Sequence, residues 1–160
     1  MNKFKNGISS FELTKKRMEI LKLDNEITII NDSYNASYDS MKAAIEYLAN
    51  TNSTRKIAVL GDMFELGEFS EQLHRKVGKE VAKNGIDLLF VIGNDSKYIA
   101  EEAEKEGMYK GNIVCFSERD VLIENLKNIM EKGDTILFKA SNGMKLFEII
   151  QEIVKKEELL

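Results

Sequence analysis

Short apolar runs alternate along the chain with longer stretches of helical periodicity. The runs are rich in Ile, Val, Leu and Phe, show no polar alternation, and lie at residues 27–31, 56–61, 88–93, 112–117 and 135–140. Continuous apolar runs of this length are typical of strands that are buried on both faces of a parallel sheet. The pattern therefore predicts an α/β fold in which strands and helices follow one another.

The stretches between these runs predict five helices, near residues 39–50, 69–84, 95–106, 118–131 and 143–157. Gly85 and Gly107 stand where left-handed C-terminal caps are expected, and Ser117 with Asp120 has the spacing of a capping box. Ahead of the first run, residues 15–23 predict the first arm of an antiparallel β-hairpin. We expect a three-layer, Rossmann-like domain with a mostly parallel sheet of about six strands, helices on both faces and an N-terminal hairpin.

Composition indicates a single domain and argues against membrane-spanning, nucleic-acid-binding and redox functions. A chain of 160 residues with 43% hydrophobic residues has room for one core. It contains no apolar run of about 20 residues and no apolar signal segment, so we expect a cytoplasmic protein. The net charge of −4, with both signs interspersed, argues against a nucleic-acid surface. Cys115 lies in an apolar run, which predicts a buried thiol without a redox role.

Polar residues gather directly after the predicted strands, where a parallel sheet places its functional loops. Asp32 could accept hydrogen bonds from ribose hydroxyls, or it could simply stabilise the turn with Asn35. Near the last strand, Lys139 and Ser141 precede a predicted helix start that could attract an anion. Equally, Ser141 could be an ordinary helix cap and Lys139 a solvated surface charge.

The loop at residues 61–67 follows a buried strand but is no phosphate-binding loop. Neither GxxxxGK[ST] nor GxGxxG occurs anywhere in the chain. His74 is the single histidine, so a metal site built on it is disfavoured. We expect His74 to hold this loop by a structural hydrogen bond, in preference to acting as a general base.

Five segments, taken in order, resemble the muramyl (Mur) ligase family of peptidoglycan synthesis over residues 17–150. They are NDSYNAS (31–37), DSM (39–41), AVLGDMFELGEFSEQLHRKVG (58–78), GIDLLFVIG (85–93) and LFKASNGM (137–144). The GDM-x-ELG stretch, followed by a serine and a histidine, resembles the members that add D-alanyl-D-alanine to UDP-N-acetylmuramoyl-tripeptide. Two positions depart from the family pattern: Tyr38 stands where proline is common, and Ala140 stands where glycine is common.

This resemblance implies an ATP-dependent amide-bond-forming ligase with three domains, of which the chain is similar to the third. Residues 1–10 would be the remnant of an interdomain linker, and residues 11–160 the domain that closes over ATP and the dipeptide. ATP and Mg²⁺ would be held mainly by the central domain, so this chain alone should be inactive. The implied partners are the small-molecule substrates and the other two domains, in a monomeric enzyme that binds neither nucleic acid nor membrane.

The resemblance also assigns roles to individual residues, none of them a certain catalytic group or a metal ligand. Arg17 and Asp32 would contact ATP. The substrates would lie near Tyr34, Asn35, Lys139, Ser141 and Asn142. Asp62, Glu65 and His74 would give the 61–67 loop its structure.

The alternative is a free-standing α/β module, either nucleotide-binding or similar to a receiver domain. Asp32, Asp62 and Lys139 superficially match the acid and lysine set of a receiver. Receivers, however, have an adjacent acidic pair after the first strand and Lys-Pro after the last, and this chain has neither.

Overall fold

The computed structural model describes residues 18–159, with side chains described as far as Lys155. The strands of this range form one six-stranded sheet in the order β1-β2-β6-β3-β4-β5. They are β1 (Glu19–Lys22), β2 (Thr28–Asp32), β3 (Arg55–Gly61), β4 (Leu88–Ile92), β5 (Ile113–Phe116) and β6 (Asp134–Lys139). β1 and β2 pair antiparallel and every other neighbouring pair is parallel, which confirms the mostly parallel sheet and its N-terminal hairpin.

Helices cover both faces of this sheet, as predicted. They are α1 (Tyr38–Ala49), α2 (Ser70–Lys83), α3 (Lys97–Lys105), α4 (Arg119–Ile129) and α5 (Leu146–Leu159). Short 3₁₀ turns lie at Gly67–Phe69, Lys110–Asn112 and Asn142–Met144. Buried side chains of α1, α2 and α3 form one core cluster with the sheet, and those of α4 and α5 form a second.

Alternate residues of the central strands belong to the two core clusters, since successive side chains of a strand point to opposite faces of the sheet. In β3, Ala58 and Leu60 join the cluster of α1 to α3, whereas Ile57 and Val59 join the other. All four are fully buried. The apolar runs of the strands are therefore continuous because helices cover both faces of the sheet, as the sequence predicted.

Several sequence-based predictions about element ends and burial are wrong. Ser117 and Asp120 do not form a capping box: α4 begins at Arg119 with Glu118 as its N-cap and no side-chain cap. Cys115 is exposed because β5 is the edge strand, which pairs only with β4. The glycine caps are confirmed, with φ of 65° at Gly85 and 113° at Gly107.

The two departures from the family pattern leave the fold undisturbed. Tyr38 is the first residue of α1, a position that also suits proline, and Ser37 caps this helix with Ser40. The Cβ of Ala140 lies 2.8 Å from where a Cβ on Gly61 would stand, so the glycine accommodates the alanine.

Two predictions concern residues outside the described range. Arg17 and the expected linker at residues 1–10 precede Met18, the first residue that the structure describes.

None of the helices between residues 18 and 159 is both long enough and apolar enough to cross a membrane.

Candidate functional site

The carboxyl ends of the parallel strands bring the predicted site residues to one edge of the sheet. Asp32 of β2 lies beside Lys139 of β6, and Lys139 in turn lies beside Leu60 of β3. Just beyond β3 and β6, the backbone N–H of Ser141 donates to the carbonyl of Asp62 at 3.0 Å. The strand-end loops thus lie next to one another along this edge of the sheet.

Lys139 is buried at this edge and does not behave as a surface charge. Its side chain is 2% exposed, and its Nζ lies 3.0 Å from Oδ2 of Asp32. The same ammonium donates to the carbonyls of Asn35 at 2.9 Å and Asp32 at 3.5 Å. The alternative of a solvated lysine, left open by the sequence, is therefore wrong.

A cavity of about 400 Å³ opens between the Asp32 loop and α1. Oδ1 of Asp32 makes no hydrogen bond among the described residues and remains able to accept one from a ligand hydroxyl. Tyr34 is half-buried and Asn35 is exposed. The lining residues are Met18, Asp32, Tyr34, Asn35, Ser37, Ser40, Ala43, Ala44 and Lys139.

Asp62 organises the neighbouring loops through its carboxylate. Its Oδ2 accepts the N–H of Asn94 at 2.9 Å, and its Oδ1 accepts those of Asp95 at 3.0 Å and Ser96 at 2.7 Å. These N–H groups belong to the loop just ahead of α3, so the aspartate ties that loop to the end of β3. Gly93, with φ of 129°, has no room for a Cβ because the same carboxylate occupies the space.

Ser141 and Asn142 take different positions from those expected at a helix start. Oγ of Ser141 accepts the N–H of Phe64 at 2.8 Å instead of capping a helix. A 3₁₀ turn begins at the exposed Asn142, and Lys145 is left-handed with φ of 53°. The helix α5 begins only at Leu146, so the prediction of a helix running directly from this motif is wrong.

His74 is fully buried beneath the 61–67 loop. Its Nε2 accepts the N–H of Met63 at 3.0 Å, and its Nδ1 lies 2.7 Å from the carbonyl of Ser70. An acceptor at Nε2 and a donor at Nδ1 describe a neutral imidazole in one tautomer. Glu65 is exposed with φ of 62°, and its carboxylate makes no hydrogen bond within residues 18–159. The loop-structuring roles of these residues stay predictions, and the geometry supports His74 more than Glu65.

A second cavity, of about 280 Å³, lies between the 61–67 loop and the start of α3. Asn94 and Asp95 line it, and Oγ of Ser70 donates to Oδ2 of Asp95. The roles assigned from the sequence omitted these residues, although Asn94 and Asp95 follow β4 and obey the same strand-end rule as Asp32. Phe64, which is 43% exposed, also lines this cavity and had no sequence signal.

Burial and a neighbouring carboxylate perturb one tyrosine near the first cavity. Desolvation, followed by the charge of Glu80, raises the pKa of Tyr38. The Tyr38 hydroxyl lies 3.3 Å from Oε2 of Glu80 and therefore donates to it at neutral pH. This contact joins α1 to α2 and does not face the ligand cavity.

Comparison with known proteins identifies the family. Residues 16–142 match the family model described as "Mur ligase, glutamate ligase domain". The chain belongs to the Mur ligase family. It is 41% identical over 150 residues to the UDP-N-acetylmuramoyl-tripeptide--D-alanyl-D-alanine ligase of Bacillus subtilis, covering 93% of this chain and 33% of that protein. The Synechocystis ligase of the same name is 34% identical over 143 residues. That match covers 89% of this chain and 31% of the Synechocystis protein.

A solved structure of such a ligase shares the fold. The MurF ligase from Thermotoga maritima, crystallised in complex with ADP, superposes with a TM-score of 0.73 at 26% identity. The match covers 91% of this chain and 31% of that one. This chain thus spans about a third of the length of its relatives and corresponds to the C-terminal domain of a Mur ligase.

Proposed function

We propose that this chain is the C-terminal domain of the ATP-dependent ligase that adds D-alanyl-D-alanine to UDP-N-acetylmuramoyl-tripeptide. The observation that carries the proposal is the cavity beside Asp32, whose carboxylate is held by Lys139 and has one oxygen without a hydrogen bond within residues 18–159. The ADP complex of the Thermotoga MurF ligase supports nucleotide use by this family. The missing phosphate-binding loop fits a division of labour in which another domain holds the triphosphate.

The reaction requires ATP to phosphorylate the terminal carboxylate of the tripeptide. The amine of the dipeptide then attacks the acyl phosphate, and a tetrahedral intermediate collapses to amide and phosphate. This domain supplies no nucleophile or general base in our proposal. It orients the reactants and excludes water as it closes, and correct orientation alone can be worth several kcal/mol, up to about 7–11 in favourable cases.

Individual residues take part as binding groups. Asp32 accepts hydrogen bonds from the ribose hydroxyls, and Arg17 lies alongside the nucleotide. Tyr34 and Asn35 line the closing face, and the exposed Asn142 faces the incoming dipeptide. We place the reaction in the cytoplasm, in a monomeric enzyme.

Mg²⁺ would accompany the triphosphate and neutralise its charge, and in our proposal the other domains hold both. Residues 18–159 contain no group of three or more His, Cys, Asp or Glu side chains that could hold a metal ion.

The test is a chimeric ligase, in which this chain replaces the matching third of the Bacillus subtilis relative. We expect it to form the UDP-muramoyl pentapeptide, with phosphate release that requires ATP, tripeptide and D-alanyl-D-alanine together. The isolated chain should fold but release no phosphate. A folded chimeric ligase without dipeptide-dependent product would refute the proposal, as would turnover by the isolated chain.

Asp32→Ala in the chimeric ligase then tests the nucleotide role. It should raise the KM for ATP more than the KM for the dipeptide, since the ribose contacts lie on Asp32. Asp39→Ala is the matched control, because Asp39 is an exposed aspartate in the first turn of α1. An ATP KM that does not change in Asp32→Ala would remove Asp32 from nucleotide binding.

A further inference from the structure

The Lys139 ammonium is already engaged by oxygens of this chain. An ammonium carries three N–H groups, and Nζ of Lys139 has three acceptors within hydrogen-bonding reach. These are Oδ2 of Asp32 at 3.0 Å, the carbonyl of Asn35 at 2.9 Å and the carbonyl of Asp32 at 3.5 Å. With its side chain 2% exposed, the lysine is also shielded from a ligand on the surface. Binding the carboxylate of the dipeptide would require these contacts to break.

We infer that Lys139 is a positioning residue for the nucleotide end of the site and not a ligand of the dipeptide. The inference rests on the proposed function, because it assumes that Asp32 contacts ATP. Lys139 acts through Asp32 and through the loop that follows it.

The arrangement explains how one lysine can fix both a carboxylate and a loop. Because β2 and β6 are parallel neighbours with Asp32 beside Lys139, the ammonium reaches the carboxylate directly. Its other two contacts, to the carbonyls of Asp32 and Asn35, hold the backbone on both sides of Ser33 and Tyr34. With Oδ2 occupied, Oδ1 is the oxygen of Asp32 that has no hydrogen bond within residues 18–159. A carboxylate held in one orientation loses less conformational freedom when a ligand binds.

A merely structural ion pair makes a different prediction from a positioning residue. Removing a structural pair lowers stability and the amount of active enzyme, which changes kcat while both KM values stay the same. Removing a positioning residue weakens the ligand that its neighbour binds, which changes the ATP KM selectively.

The first experiment uses the full chain and needs no activity. Lys139→Met keeps the length and buried volume of the side chain but removes its charge and donors. Amide chemical shifts of the chain should then change at residues 32–37 and stay unchanged at the opposite end of the sheet. Lys132→Met is the matched control: Lys132 lies 3.0 Å from Glu26 in an exposed ion pair just before β6. Unchanged shifts at residues 32–37 in Lys139→Met would overturn the inference.

The second experiment measures steady-state kinetics in the chimeric ligase. Lys139→Met should raise the KM for ATP by about tenfold, the loss expected for a hydrogen bond to a charged group. The KM for D-alanyl-D-alanine should stay within about twofold, since a factor of two corresponds to less than 0.5 kcal/mol. Asp32→Ala combined with Lys139→Met should raise the ATP KM no more than Asp32→Ala alone, because both act on one interaction. Lys132→Met should leave both KM values unchanged.

The outcomes separate the inference from the proposed function. A raised dipeptide KM with an unchanged ATP KM would make Lys139 a dipeptide ligand, and two unchanged KM values would make it purely structural. Additive effects of the two substitutions would show that it does not act through Asp32. If Lys139→Met fails to fold, Lys139→Arg keeps the cation, and its ATP KM should again rise without a rise in the dipeptide KM. If the unsubstituted chimeric ligase is inactive, the proposed function fails, while the amide shifts still decide whether Lys139 holds the Asp32 loop.

Discussion

Among single residues, Asp62 connects segments that are far apart in the sequence. It is 7% exposed, and its carboxylate accepts three backbone N–H groups ahead of α3. Asp62→Ala would remove the acceptor of all three donors, of which that of Ser96 is buried. We expect the free energy of unfolding to fall by about 2–4 kcal/mol, because three hydrogen bonds to a charged acceptor are lost and one buried N–H group is left unsatisfied. Urea denaturation followed by circular dichroism measures this change.

Asp87→Ala provides the control for Asp62→Ala. Asp87 is exposed, and its Oδ2 accepts one backbone N–H, that of Lys56, at 2.8 Å. Water replaces such a bond easily, so its loss should lower the free energy of unfolding by about 1 kcal/mol or less. Equal decreases in the free energy of unfolding in the two variants would contradict the central role given to Asp62.

The sequence could predict that these residues gather, but not what each of them contacts. Asp32, Asp62 and Ser141 follow predicted parallel strands, and that alone places them at one edge of the sheet. The pairing of Asp32 with Lys139 depends on the register of β2 against β6, strands that lie more than 100 residues apart. Lys139 therefore remained a choice between a surface charge and a ligand until the fold was known. In the same way, no local pattern indicates that Ser141 accepts the N–H of Phe64.

Among the elements, α2 and α3 pack closely because of one glycine. A Cβ on Gly78 would meet the carbonyl oxygen of Ile99 and would lie 2.8 Å from Cβ of Glu102. In an exposed helix, replacing glycine by alanine stabilises by about 1 kcal/mol. Here we expect the opposite sign: Gly78→Ala should lower the free energy of unfolding by about 1–3 kcal/mol, the usual range for overpacking. Thermal unfolding measures the change.

Lys79→Ala is a suitable control for this prediction, because Lys79 is the next residue of α2 and is exposed. Lys79→Ala changes helix propensity without changing the packing between the helices. It should therefore change the free energy of unfolding by no more than about 0.5 kcal/mol. A stabilised Gly78→Ala variant would mean that the two helices separate readily.

Helix positions were predictable from periodicity, whereas several helix starts were not. Apolar spacing located all five helices because each one buries a face against the sheet. The start of α3 was placed early because the N–H groups of residues 94–96 are bound by Asp62, a residue of another loop that a local pattern cannot reveal. The start of α5 was misplaced because Lys145 adopts a left-handed conformation, which few non-glycine residues do.

In the molecule as a whole, the two ends of the sheet differ in the features that they carry. The carboxyl ends of the strands carry the cavity beside Asp32 and the cavity beside the 61–67 loop, whereas the amino ends carry a bidentate ion pair. At that end, Nε of Arg55 lies 3.0 Å from Oδ1 of Asp134, and its Nη2 lies 2.8 Å from Oδ2. Asp134 is 1% exposed and also accepts the N–H of Glu131 at 2.8 Å. This hydrogen bonding raises the pKa of Arg55, which therefore stays charged.

Asp134→Asn should consequently change stability without changing ligand binding. It removes one charge of a buried pair and leaves the other without its partner, which should lower the free energy of unfolding by about 2–4 kcal/mol. In the chimeric ligase, assayed where the variant is folded, the KM values for ATP and for the dipeptide should match those of the unsubstituted enzyme. Glu148→Gln is the control, because Glu148 pairs with Arg119 on the surface and should contribute about 0–1 kcal/mol. An ATP KM that rises in Asp134→Asn as much as in Lys139→Met would mean that the sheet transmits strain between its ends, and that Lys139 needs no special position to affect the nucleotide.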